Sequence, residues 1–130
     1  MAGLAKSEVM DCGPDIAKAT GIMFMSRTYA HMAHLKTTSY AAHKALDDFY
    51  NEIIDLADDF IEAGQGMYGI LDIPFVNVSG NVKDPIGALQ GHLAQLESTL
   101  SDLDEEYMKN IFQEIQKLYR STLYKLINLS

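Results

Sequence analysis

The strongest constraint on this chain is a helical repeat of apolar side chains in four separate stretches. The clearest stripe joins Leu46, Phe49, Tyr50, Ile53, Ala57, Phe60 and Ile61, and predicts a helix from about Ser39 to Ala63, ended by Gly64 with Gly66 close behind. Before it, Asp15 can cap a helix through Ile16, Met23, Tyr29 and Ala33 to about Lys36, with Gly21 inside at some cost. Thr37-Thr38-Ser39 breaks the two apart and offers a hydroxyl cap to the second. Asp84-Pro85 is a strong start for a third helix: a capping carboxylate, then proline in the first turn. Its buried stripe is Ile86, Leu89, Leu93, Leu96 and Leu100. Ser101 with Asp104 resembles a capping box and predicts the start of a fourth helix. Met108, Ile111, Phe112, Ile115, Leu118, Tyr119 and Leu126 carry that helix to the end.

Residues 1–14 read as a loose arm closed by Gly13 and Pro14, and residues 15–130 as one domain. Residues 64–83, with Ile73-Pro74-Phe75-Val76 and the turn residues Ser79-Gly80, form a connection long enough to cross a bundle from end to end. Four helices, with one long crossover between the second and third, predict an all-α, ferritin-like four-helix bundle rather than a simple up-down-up-down one.

Charge narrows the partners. Ten basic residues stand against eighteen acidic ones, for a formal net charge of −8. No basic run exists, so an electrostatic grip on DNA or anionic lipid is not expected. No apolar run reaches membrane-span length and no signal peptide opens the sequence. Cys12 is the single cysteine, which excludes a disulfide within the chain. The expected location is the cytoplasm, of a host cell if the chain is viral.

The chemistry-bearing residues are His31, His43, Asp47, Asp58 and Glu62, spaced H-x11-H-x3-D-x10-D-x3-E. Imidazole and carboxylate are the ligands that iron, manganese and zinc accept. On a wheel of about 100° per residue, Asp47, Asp58 and Glu62 fall about 40°, 60° and 100° from His43, on one flank of the second helix. Asp48, Glu52, Asp55 and Asp59 cluster elsewhere, as a solvated face. Asp47 and Asp58 are separated by about 16 Å of rise, whereas ligands sit about 2 Å from a first-row metal. One straight helix cannot close both halves on one ion. Two antiparallel copies across a two-fold axis can, with Asn51 and Ile54 facing the partner. His31, on the preceding helix, can fold back to meet His43; His34 can substitute for it or support it from behind.

At these residues the chain resembles the Dps-type mini-ferritins, whose ferroxidase centre has the same spacing across its first two helices. The stretch is HMAHLKTTSYAAHKALDDFYNEIIDLADDFIE, residues 31–62. The resemblance implies a site shared between subunits, with His31, His43 and Asp47 of one chain meeting Asp58 and Glu62 of the next. It implies oxidation of Fe(II) by peroxide or oxygen and iron storage in a twelve-subunit shell; the donor types themselves admit zinc or manganese as other occupants. The chain departs from the family at Met32, where tryptophan is usual, in the turn Lys36-Thr37-Thr38-Ser39-Tyr40, and in lacking a basic N-terminal tail. The stretch HLKTTSYAAHKALDDFY also resembles small uncharacterised phage-encoded proteins. That likeness opens a second expectation, a non-catalytic structural or interaction protein that keeps the bundle.

Met23, Met25 and Met32 read as core fillers, Tyr107, Tyr119 and Tyr124 as packing or interface residues, and His92 as structural.

Overall fold

The computed structural model describes residues 11–77 and 82–129. Four helices and no strands make up the described residues: α1 (Gly13–Lys36), α2 (Tyr40–Tyr68), α3 (Pro85–Thr99) and α4 (Glu106–Asn128). The described residues are all-α, as the apolar spacing predicts.

Each helix packs against two others, α1 on α2 and α3, and α4 on α2 and α3. Side-chain pairs give the directions. His34 meets His43 while Gly64 meets Ile16, so α1 and α2 are antiparallel. Phe49 meets Tyr119 while Phe60 meets Phe112, so α2 and α4 are antiparallel too. Tyr29 lies against His92, near the middle of α3.

The core runs through the shared centre. Ile16, Met23, Leu46, Phe49, Ile53, Phe60, Leu89, Leu96, Met108, Ile115 and Tyr119 are fully buried. Each large apolar side chain withdrawn from water in this way contributes about 1.5–3 kcal/mol before chain entropy is charged against it. α2 and α4 bury one stripe and expose polar faces. α1 differs, because apolar residues surround it: Met32 and Leu35 are exposed while Met23 and Met25 are buried. Met32 is therefore not the core filler that its spacing suggests.

The helix starts follow their caps, with one exception. Ser39 accepts a hydrogen bond from the Ala42 N–H at 3.2 Å, and Asp84 accepts one from Gly87 N–H at 3.0 Å. The expected capping box at Ser101 and Asp104 does not form. Residues 100–102 turn instead, buried Leu103 ties the link to the core, and α4 opens at Glu106 with no side-chain cap.

The end of α2 also differs from expectation. It passes through Gly64 and Gly66 and stops at Gly69, whose φ of 86° suits glycine. Gly64 serves packing: a Cβ there would lie 2.8 Å from Cγ2 of buried Ile16, so the glycine sets how closely α1 and α2 approach. Gly21 does the same against the connection, where a Cβ would sit 2.5 Å from the Pro74 carbonyl oxygen. Residues 73–76 thus lie along the outer side of α1, over Gly21, Phe24, Met25 and Thr28.

The expected N-terminal arm ends sooner than residue 14. Cys12 is buried in the core, its thiol directed at the Asp102 carbonyl, and Gly13 already belongs to α1. Residues 1–10 of that arm, and the expected turn at Ser79-Gly80, lie outside the described residues.

Candidate metal centre at the α1–α2 corner

The Thr37–Ser39 break turns the chain so that the last turn of α1 meets the first turn of α2. This places three histidines together. The rings of His34 and His43 stack at 3.7 Å between centroids. Each donates from Nδ1 to the other's backbone carbonyl, at 2.8 Å from His34 and 2.9 Å from His43. A carbonyl only accepts, so both Nδ1 atoms carry the proton, and in the neutral rings both Nε2 atoms present lone pairs. The bond from His43 also satisfies the His34 carbonyl, one of those left unpaired where a helix ends.

His31 lies one turn before His34, flat against Tyr50 at 4.2 Å. Tyr50 reaches in turn to Asp47. A hydrogen bond to that carboxylate, with burial and the carboxylate's charge, raises the Tyr50 pKa above its ordinary value, and Arg27 opposes the shift weakly. Asn51 donates from Nδ2 to the Asp47 backbone carbonyl at 3.0 Å and to its carboxylate at 3.3 Å. One carboxylate and three imidazoles thus share this corner, with His34 buried and His31, His43 and Asp47 half-buried.

Asp58 and Glu62 lie further along α2, both exposed. They do not meet the histidines within one chain. Among the described residues, no three His, Cys, Asp or Glu side chains converge tightly enough to hold a metal ion. Spacing alone gives His34 a supporting or substitute place. The structure makes it an equal member of the cluster, because the tight turn brings it face to face with His43.

A second polar cluster was not legible in the sequence. Fully buried Tyr119 donates to Ser26 Oγ at 2.7 Å, and Ser26 is hydrogen bonded to His92 Nδ1 at 2.7 Å. Tyr119 has its phenol raised well above the ordinary range by burial, so it remains a donor. Ser26 Oγ thus accepts from Tyr119 and joins it to His92 Nδ1, with the direction of the second bond set by the His92 tautomer. Burial pulls the His92 pKa down. Ser26, Tyr119 and His92 come from α1, α4 and α3, so only the tertiary fold assembles them.

A family model described as a family of unknown function (DUF5856) matches residues 34–126. The chain belongs to that family. The match takes in the last turn of α1, all of α2 and α3 and most of α4, and with them His34, His43, Asp47, Asp58 and Glu62. An uncharacterized 14.6 kDa protein from the mobD-ri intergenic region of Enterobacteria phage T4 is 43% identical to this DUF5856 chain over 49 residues. That alignment covers 38% of each protein, so this chain spans well under half of the phage protein's length. No solved structure matches the chain. Among the described residues, no helix is long and apolar enough to cross a membrane.

Proposed function

We propose that this DUF5856 protein is a Dps-like, ferritin-type protein that binds ferrous iron and oxidises it at sites shared between two copies. The observation that carries the reading is the reciprocal bonding of His34 and His43. Metal-binding histidines almost always donate their other ring N–H to a carbonyl or carboxylate, which fixes the tautomer and aims the lone pair. His43 has this arrangement through its bond to the His34 carbonyl. The antiparallel packing of α1 on α2, and the passage of residues 73–76 beside α1, fit the lengthwise crossover that a ferritin-like bundle needs.

In this reading iron is the substrate. His31 and His43 supply nitrogen to one ion, joined by Asp58 and Glu62 of a second copy, and Asp47 helps to hold another. Zinc or manganese would fit the same donors. Asn51 and Tyr50 orient the Asp47 carboxylate. Carboxylates stabilise the ferric state over the ferrous, so the ligand set favours loss of an electron. Two ferrous ions each give one electron to peroxide, which takes up two protons and leaves as two waters. Pairs of copies, and a twelve-subunit shell built from them, belong to the same Dps-like reading, with the cytoplasm as the expected site of action. DNA binding does not, given the acidic balance.

Mixing Fe(II) with the protein and peroxide while following ferric absorbance tests the proposal. The expected result is acceleration over buffer that His43→Ala removes. No acceleration, or acceleration unchanged by His43→Ala, refutes it.

One observation favours a second reading, a non-catalytic structural or interaction protein. The stacked pair already satisfies both histidines as a clasp between helix ends, and His31 is packed on Tyr50. Likeness to a phage protein suits that role equally well. It requires protein purified without iron, zinc or manganese, and a melting temperature indifferent to added metal.

A further inference from the structure

We infer that this protein associates head to tail, the basic, apolar end of one copy seating on the acidic end of the next. The two ends differ in a way the net charge conceals. One end gathers the C-terminus of α1, the N-terminus of α2 and the start of α3, since Ala33, Lys36 and Thr37 line one groove with Val82, Lys83 and Pro85. The C-terminus of α4 arrives there too. Phe49 meets Tyr119, and Tyr40 lies nine residues before Phe49 as Asn128 lies nine after Tyr119 on the antiparallel helix.

This end is apolar and positive. Leu35 is 71% exposed, Tyr40 76%, Tyr124 60% and Ile127 55%. Single exposed apolar side chains are ordinary; four from three helices at one end mark an interaction surface. Lys36, Lys44, Lys83 and Lys125 stand among them. The acids nearest this end are Asp84, which caps α3, Asp47, which Asn51 and Tyr50 hold, and exposed Asp48, against the four lysines.

The opposite end is the complement. Asp11, Asp15, Asp102 and Asp104 lie close enough around Cys12 to raise its thiol pKa, after burial itself. Glu105 and Glu106 adjoin them at the start of α4. Ile70 and Tyr107 supply exposed apolar surface there. Each end thus offers apolar contact with charges of opposite sign around it, and the charge complementarity selects a second copy of this chain as the occupant. The contact is heterologous, joining unlike surfaces, so it propagates as a ring or a filament. A two-fold contact by itself stops at two copies, and a closed shell built on it stops at a fixed mass that the charge reversals below would not alter. The inference does not depend on metal binding.

Sedimentation of the full chain over a concentration series tests it, at about 25 mM and about 0.5 M salt, because the screening length shrinks from about 20 Å to about 4 Å between them. At low salt the average mass should climb past that of a dimer, by at least about twofold, and fall back at high salt. The variant K36E/K125E and the variant D104K/E105K should each fail to grow. Mixed together they should grow again, since each reversed end then meets its opposite. Circular dichroism checks that both variants fold. A mass that never exceeds a dimer, or growth that ignores salt and both variants, or a mixture that does not recover, overturns the inference. So does salt-sensitive binding of the basic end to vesicles of anionic phospholipid without self-association, which would make a lipid surface the occupant.

Discussion

Removing the Tyr119 hydroxyl should destabilise the native protein but stabilise one that already lacks Ser26 Oγ. The phenol is fully buried and Ser26 is its partner. In Tyr119→Phe, Ser26 keeps His92, and the cost is one net hydrogen bond, about 1 kcal/mol. In Ser26→Ala, the Tyr119 hydroxyl is stranded in the core, at a cost of about 1–3 kcal/mol for the unmet donor. Combining the two removes the stranded group, so the double variant should be more stable than Ser26→Ala alone. The coupling should reach about 2 kcal/mol, well beyond the few tenths seen for independent sites. Urea unfolding measures it, through midpoints at constant slope. If the two costs simply add to within about 0.5 kcal/mol, the buried chain from Tyr119 through Ser26 to His92 is wrong.

Three further outcomes follow from the same geometry. Gly64→Ala should cost about 1–3 kcal/mol by forcing α1 from α2 at Ile16, whereas Gly66→Ala, with open space around its Cβ, should be neutral or slightly stabilising; thermal melts compare them. Burial lowers the His92 pKa below its unfolded value, so the unfolded chain binds the extra proton. Stability should therefore fall as pH drops from about 6.5 toward the lower folded value, and His92→Gln should flatten that slope in urea titrations across the window. Asn51→Ala should leave the fold intact but weaken Fe(II) binding severalfold by loosening Asp47, measured by anaerobic titration; unchanged binding would remove Asp47 from the site.

The sequence carried the helices well, because burial of a stripe writes a 3.6-residue period into it. Asp84-Pro85 and Ser39 marked true starts because a cap acts over three residues and is local. Gly64 misled because a glycine that ends a helix and one that admits a neighbouring helix look alike in one dimension. Ser101 and Asp104 misled for a related reason: the burial of Leu103 holds the α3–α4 link in a turn and delays α4 past Ser101. The histidine pair was legible as spacing, but the exchange of Nδ1 bonds was not, since it depends on how sharply Thr37–Ser39 turns. Tyr119 and His92 were legible singly as packing and structural residues, but their joining through Ser26 was not, being made over 66 and 93 residues in the two contacts.

The shared metal site has one direct measurement. Take a variant with His31→Ala and His43→Ala, and another with Asp58→Ala and Glu62→Ala, each defective in oxidising Fe(II), and mix them after dissociation. Half of the re-formed pairs join unlike copies, and each such pair contains one site with both halves intact, so about a quarter of the wild-type ferroxidase rate should return. A mixture as inactive as its components would contradict a centre built from two chains.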